Sequence, residues 1–156
     1  MPRLMADAPF LHPECEINDV TFGRYTEVGR GSRLAHSHLG DYSYCDRYAD
    51  IANATVGKFS NIAAFVRIGA TDHPMEKASL HHFHYRSASY FEDAADDEAW
   101  FDHRRSRRAV IGHDTWLGHG HPCRAVACAL RARYSRAADG ACVVGLAACA
   151  TAHRSG

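Results

Sequence analysis

The chain has 156 residues, in which 18 Lys and Arg side chains balance 18 Asp and Glu side chains, so its formal net charge at pH 7 is zero. This length suits one domain with a core of its own, and the balanced charge excludes an overall field that would hold the protein on nucleic acid or on an anionic membrane. No apolar run is long enough to span a membrane and the first residues lack the apolar segment of a secretory signal, so we expect a cytoplasmic protein.

A row of apolar residues recurs along the first half of the chain in a fixed order of spacings. The spacings are 5, 6 and 6 residues, repeated in that order, so the full period is 17 residues. The row consists of Ile17, Phe22, Val28, Leu34, Leu39, Cys45, Ile51, Val56, Ile62 and Ile68. Neither an α-helix nor a flat amphipathic strand has this period. The spacing predicts short parallel strands, three to a coil, with the apolar row inside a prism of stacked coils.

A small or turn-forming residue follows each member of the apolar row. These residues are Asn18, Gly23, Gly29, Ala35, Gly40, Asp46, Ala52, Gly57, Ala63 and Gly69. Such residues tolerate a tight turn or a positive φ, so we expect the corners of the prism at these positions. Five aromatic residues are expected at mid-side positions, for packing against other subunits: Tyr25, Tyr42, Tyr44, Tyr48 and Phe59.

The rhythm stops after Gly69 and returns only at Ile111-Gly112 and Leu117-Gly118. We therefore expect residues 70–109 to form a loop that extrudes from a solenoid continuing on both sides. Loops of this length in compact domains are usually functional or disordered, and the aromatic and histidine-rich stretch DHPMEKASLHHFHYRSASYF favours an ordered pocket wall.

The second half of this loop, residues 91–108, reads FEDAADDEAWFDHRRSRR and predicts a helix of three to four turns. Acidic residues at its start and basic residues at its end agree with the helix dipole. The run HRRSRR does not indicate a nucleic-acid site, because five acidic residues stand close by and interleaved aromatic residues are missing. It favours a contact with an anionic group.

The last segment, residues 121–156, does not continue the repeat. Eleven of its 36 residues are Ala, five are Arg and four are Cys. The spacing of Cys123, Cys128, Cys142 and Cys149 matches no common zinc finger. We expect residues 1–120 to form the domain and residues 121–156 to be an aberrant tail produced by a frameshift, with a genuine divergent tail as the alternative.

Six stretches together resemble the hexapeptide-repeat acyltransferases: GRYTEVG, LGDYSYCDRYADI, ATVGKFSNIAA, DHPM, HHFHYRSASYF and IGHDTWLGHG. The resemblance covers about residues 1–120. It is to the xenobiotic branch that acetylates streptogramins and chloramphenicol, and most of all to the transferases encoded in phosphonate-utilisation operons. It implies an all-β, left-handed parallel β-helix with 17-residue coils and one long extruded loop containing a helix.

The resemblance also implies the reaction. Such enzymes transfer acetyl from acetyl-CoA to a hydroxyl or amino group of a small-molecule acceptor. They are homotrimers in which acetyl-CoA lies in a cleft between neighbouring subunits. A phosphate group of CoA is one anion that the basic run HRRSRR could contact. No metal, nucleic acid or membrane is implied.

The resemblance assigns three site residues. His73, in ATDHPM, stands where the family has its catalytic base, at the start of the extruded loop, with Asp72 in place of the usual Asn. Trp116 and Gly118, in DTWLG, match a stretch that borders the CoA site. Imidazole suits the role of base because it titrates near neutral pH. A carboxylate or carbonyl must fix its tautomer, and Asp72 and Glu76 are candidates.

Two alternative functions remain open from the sequence. One is a zinc enzyme similar to the γ-carbonic anhydrases on the same fold, since His119 stands where that group has a histidine ligand. Arg124, however, takes the place of its partner ligand, and the forty-residue loop does not fit. The other is a non-catalytic trimeric scaffold.

Overall fold

The computed structural model describes residues 3–120 and 122–124. In this part of the chain the strands are β1 (Phe10–Leu11), β2 (Glu16–Phe22), β3 (Glu27–Val28), β4 (Arg33–Leu39), β5 (Tyr44–Cys45), β6 (Asp50–Ala52), β7 (Ala54–Val56), β8 (Asn61–Ile62), β9 (Arg67–Ala70), β10 (Ala109–Ile111), β11 (Trp116–Leu117) and β12 (Pro122–Arg124). The helix is α1 (Glu98–Ser106), and two 3₁₀ turns precede it at His82–His84 and Ser87–Ser89.

The strands stack in parallel as a solenoid, which confirms the predicted coil arrangement. One face carries the order β1-β3-β5-β8-β11, and a second sheet carries β10-β7-β4-β6-β9-β12 with β2 beside β4. Within the coils, paired residues are 17 positions apart, as in Phe10 with Glu27 and Tyr44 with Asn61. Across the loop they are 55 apart, as in Asn61 with Trp116. Residues 71–108 are thus inserted without disturbing the stacking.

The predicted apolar row forms the core. From Val28 to Ile68 its members are at most 2% exposed, whereas Ile17 and Phe22, in the outermost coil, are only partly buried. The row continues beyond the loop with Ile111 and Leu117, and Cys123 lies above Ile68 in the same core. The sequence pattern missed position 123 because a cysteine there is not followed by a small residue. Residues 125–156, which contain the rest of the predicted tail, lie outside the described residues.

With the exception of Gly69, whose φ is 72°, the corners of the prism do not lie at the small residues, so that expectation was wrong for the others. Elsewhere the backbone turns through positive φ one or two positions later, and one corner is formed by Tyr25, Tyr42 and Phe59, with φ of 57°, 58° and 59°. Their rings stack coil upon coil, with centroids 4.9 and 5.3 Å apart. These aromatic residues therefore occupy a corner and not the middle of a side.

The small residues are required for a different reason, which is the close approach of neighbouring coils. A Cβ atom added to Gly57 would lie 2.6 Å from the backbone carbon of Gly112 in the next coil. Real Cβ atoms do not approach other heavy atoms so closely. A larger residue would have to separate the two coils and lengthen their ladder hydrogen bonds.

Buried hydroxyl groups connect the coils inside the same corner. Thr26, Ser43, Ser60 and Thr115 are at most 2% exposed and occupy equivalent positions. The Ser43 hydroxyl donates to the Gly57 carbonyl at 2.8 Å and accepts from the Ser60 amide at 2.9 Å. These bonds satisfy backbone groups that the turn removes from the strand ladder.

The helix in the loop is shorter than predicted. It begins at Glu98 because Asp97 caps it, its carboxylate accepting from the Trp100 amide at 3.0 Å. Asp97 also pairs with Lys77. The last turn carries His103, Arg104 and Arg105, as the dipole argument predicted. In residues 3–120 and 122–124 no helix is both long and apolar enough to cross a membrane.

Candidate functional site

The inserted loop is fastened to one corner of the solenoid. Asn53, a corner residue of positive φ, donates from its side-chain amide to the Arg104 and Arg105 carbonyls at 3.2 and 3.0 Å. Near the start of the loop, the Asp72 carboxylate accepts from the Arg107 guanidinium at 2.7 Å. Since Asp72 and Arg107 lie at opposite ends of the loop, their ion pair closes its base.

His73 follows directly and is held by the loop itself. Its Nδ1 atom lies 2.9 Å from the Leu80 carbonyl oxygen and 3.3 Å from the hydroxyl oxygen of Tyr85. Tyr85 is 4% exposed, and its ring meets the exposed imidazole edge-on with the centroids 6.2 Å apart. The side chain of His73 is thus oriented although it remains accessible to solvent.

The Leu80 contact determines where the proton of the neutral imidazole resides. A carbonyl oxygen can only accept, so Nδ1 carries the hydrogen and Nε2 keeps a free lone pair. The carboxylates suggested by the sequence do not have this role. Asp72 is engaged by Arg107, and Glu76 lines the cavity beside His73 without contacting Nδ1.

Two cavities meet at the base of the loop. One, of about 640 Å³, is lined by His73, Glu76 and Trp100 among others. The other, of about 450 Å³, lies between α1 and the solenoid corner at Asn53. Both are bordered by Thr71, Asp72, His103 and Arg107. The cavities are therefore neighbours on the two sides of the Asp72–Arg107 ion pair.

Aromatic rings form the floor between the loop and the helix. The Tyr85 ring lies 6.1 Å from Trp100 and 5.9 Å edge-on from Phe101. Trp100 stacks on His103 at 5.3 Å. Within the described residues, its Nε1 is buried without a hydrogen-bond partner. The aromatic rings that line the two cavities, Trp100 and Phe101, come from α1, whereas the stretch 72–91 that the sequence singled out contributes His73 and non-aromatic residues to the walls.

Trp116 and Gly118 lie elsewhere on the chain. Trp116 is in β11 on the five-stranded face and is 52% exposed. A Cβ atom at Gly118 would meet no atom of residues 3–120 and 122–124 within 4 Å. Neither residue is among those lining the two cavities beside His73. The described residues therefore leave Trp116 and Gly118 uncovered and do not bring them to His73.

Several groups at the site have no signature in the sequence. The Leu80 carbonyl is backbone, and Arg107 meets Asp72 only because the loop closes. Arg104 approaches Arg86 for the same reason. Burial, followed by the charge of Arg86, lowers the pKa of Arg104, with Tyr85 and Asp72 acting in the opposite direction. The run HRRSRR indicated positive charge but not which of its members share a cavity.

In the part of the chain that the structure describes, no group of three His, Cys, Asp or Glu side chains is placed to hold a metal ion. Comparisons with protein-family models, curated proteins and solved structures gave no match.

Proposed function

We propose that this chain is a hexapeptide-repeat acyltransferase that moves acetyl from acetyl-CoA to a hydroxyl or amino group of a small molecule, with His73 as general base. The observation that supports the proposal is the imidazole of His73, which lines a cavity of about 640 Å³. Its Nδ1–H is held by the Leu80 carbonyl, and its Nε2 has no hydrogen-bond partner among the described residues. A fixed tautomer and an accessible lone pair are what a general base requires.

In the proposed reaction His73 Nε2 takes the proton of the acceptor hydroxyl or amine. The freed nucleophile forms a bond to the acetyl carbonyl carbon, and the resulting tetrahedral species expels the CoA sulfur as the carbon–sulfur bond breaks. The imidazolium returns its proton to the thiolate, so the products are the acetylated acceptor and CoA thiol. The Leu80 carbonyl stabilises the imidazolium, because Nδ1 remains its donor throughout.

The proposal includes a left-handed β-helix with a uniform 17-residue coil. The parallel register supports the coil length, since partners such as Arg33 and Asp50, or Asp50 and Arg67, are 17 positions apart. The left-handed sense follows from the resemblance of the repeat to its family.

We place the acetyl-CoA cleft between copies of a homotrimer, bordered by Trp116 and Gly118. The exposed indole of Trp116 and the open space at Gly118 support a surface that a ligand and a second copy would cover. Because the His73 cavities do not include these residues, a complete site would combine His73 of one copy with Trp116 of another.

The experiment is a transfer assay on the full 156-residue chain. Acetyl-CoA binding is measured by calorimetry, oligomeric state by light scattering, and CoA thiol release with a panel of small hydroxyl and amine acceptors. Binding to a trimer and acceptor-dependent thiol release would support the proposal. A chain that binds no acetyl-CoA would contradict it, and stoichiometric zinc in the purified protein would favour the carbonic-anhydrase-like alternative.

A further inference from the structure

The cavity of about 450 Å³ between α1 and the solenoid corner has an unusual charge balance. Among the described residues four arginines line it, Arg86, Arg104, Arg105 and Arg107, against the single carboxylate of Asp72. Its other lining residues include Phe101, two histidines and small residues of the solenoid. A cavity of this size is large enough for a small organic molecule.

Two of the four arginines already have carboxylate partners. Arg107 donates to Asp72 at 2.7 Å, which occupies the one carboxylate of the cavity. Arg105 pairs with Asp102 and Glu98 of α1. The His36 ring, at the opposite edge, contacts Asp19.

Arg86 and Arg104 have no carboxylate partner within the described residues. Both instead pack on Phe101, with their guanidinium carbons 5.1 and 5.8 Å from the centroid of its ring. Arg104 lies in addition 6.0 Å from the ring of Tyr85. Stacking on aromatic faces fixes the planes of the two guanidinium groups and leaves their N–H donors at the edges available.

Two like charges held against one ring repel each other, and the partial burial of Arg104 removes water that would screen them. Burial in the first place, and then the charge of Arg86, lower the pKa of Arg104, while Tyr85 and Asp72 act in the opposite direction. A negative group bound by both guanidiniums would offset the repulsion and compensate the cost of desolvation with its own attraction. Planar guanidinium donors match the oxygen atoms of phosphoryl and carboxylate groups, often with two hydrogen bonds each.

We propose that Arg86 and Arg104 bind a phosphoryl or carboxylate group of the acceptor, so that the enzyme acetylates small anionic molecules. The assignment of the anion to the acceptor rests on the proposed function, whereas the anion site itself does not. The two cavities share the wall formed by Asp72 and Arg107. A molecule with its anion at Arg104 would therefore extend past this ion pair toward His73.

The test begins with inorganic phosphate as the probe. The full chain is titrated with phosphate at constant ionic strength by calorimetry, and the titration is repeated with Arg86→Gln and Arg104→Gln. Arg33→Gln is the matched control, because Arg33 pairs with Glu16 on the outer surface and lines neither cavity. We expect saturable binding that weakens at least tenfold in both cavity variants and is unchanged in the control.

Absence of saturable phosphate binding, or equal affinity in all four proteins, would overturn the anion site. Arg86 is exposed, so its variant keeps the test valid even if replacing the half-buried Arg104 impairs folding. Arg104→Lys, which keeps the charge but not the paired donors, should bind with intermediate affinity.

A second titration identifies the source of the anion. Phosphate binding is measured again with saturating acetyl-CoA present. Unchanged affinity supports an anionic acceptor, whereas competitive loss would show that the cavity holds a CoA phosphate and overturn the acceptor assignment. Failure of the proposed function can be distinguished from failure of the anion site. His73→Ala should leave phosphate binding intact whether or not His73 is the base.

Discussion

The Nδ1 atom of His73 lies 2.9 Å from the carbonyl oxygen of Leu80, seven residues further along the same loop. Because that carbonyl belongs to the backbone, no side-chain substitution in the loop can supply or remove it. The orientation of the imidazole therefore depends on the path of the chain from 73 to 80. The tautomer of His73 is in this way a property of the loop fold.

The first prediction concerns that tautomer. In ¹⁵N spectra of the neutral imidazole, His73 Nδ1 should show the shift of a protonated nitrogen and Nε2 that of a bare one. Tyr85→Phe should leave this pattern unchanged, since the Leu80 carbonyl accepts the hydrogen bond from His73 Nδ1–H. A protonated Nε2 in the neutral ring would contradict the geometry.

The second prediction concerns catalysis by His73. Replacing His73 with Ala should lower turnover by a factor on the order of 10² to 10⁴, the usual contribution of a general base. His12→Ala is the matched control, because the His12 ring is also hydrogen-bonded, to Glu27, but lines neither loop cavity. The measurement is kcat of each variant relative to wild type. A loss smaller than about tenfold in His73→Ala would remove His73 from the role of base.

The third prediction compares two glycines that the repeat makes look equivalent. Gly57→Ala should lower the free energy of unfolding by about 1–3 kcal/mol, because the new methyl group would lie 2.6 Å from the Gly112 backbone. Gly118→Ala should change it by less than about 0.5 kcal/mol, since a Cβ there meets no atom within 4 Å in the part of the chain that the structure describes.

Urea unfolding of the two glycine variants gives both values, provided that the transition is two-state. Equal destabilisation of the two variants would show that the close approach of the next coil is not the reason for a glycine at position 57. Gly118→Ala also tests the cleft, because a methyl group that is harmless to folding should weaken acetyl-CoA binding if Gly118 borders the ligand.

The fourth prediction concerns acid stability. Hydrogen bonds from the Arg24 backbone amide and then from Lys58 lower the pKa of Asp41 to about 2. The unfolded chain binds this proton near pH 4, so the stabilisation by Asp41 is present above that pH and is lost as the pH falls from about 4 toward 2. The stability difference between wild type and Asp41→Asn should therefore shrink over this range.

Asp114→Asn is the matched control for the acid series, because Asp114 is an exposed corner residue of the same type. Unfolding free energies at several pH values measure the effect. A difference between wild type and Asp41→Asn that stays constant from pH 5 to pH 2 would exclude Asp41 as a contributor to acid sensitivity.

The coil and its core could be predicted from the sequence because both depend on local repetition. A row with spacings of 5, 6 and 6 fixes which residues face inward, and Leu34, Ile51 and Ile68 accordingly stack in one core column. The place where the loop leaves the coil was visible for the same reason, since the row stops at Ile68.

The details of the corners could not be predicted in this way. Sequence preferences assign positive φ to small residues, yet Tyr42 and Phe59 adopt it. Stacking of their rings on the neighbouring coils offsets part of the cost of the left-handed conformation. Gly57, in turn, is small because of the next coil and not because of its own φ.

By itself, the sequence determined the parallel stacked coils, the inward row and the position of the long loop, because burial of a periodic apolar row leaves few other arrangements. Only the tertiary structure decided the site. The closure of the loop by Asp72 and Arg107, the contact of His73 with Leu80 and the approach of Arg86 to Arg104 join residues that no repeat relates. Such contacts form only when the irregular loop folds back on the regular solenoid. The packing of Tyr85, Trp100 and Phe101 holds the loop in that position.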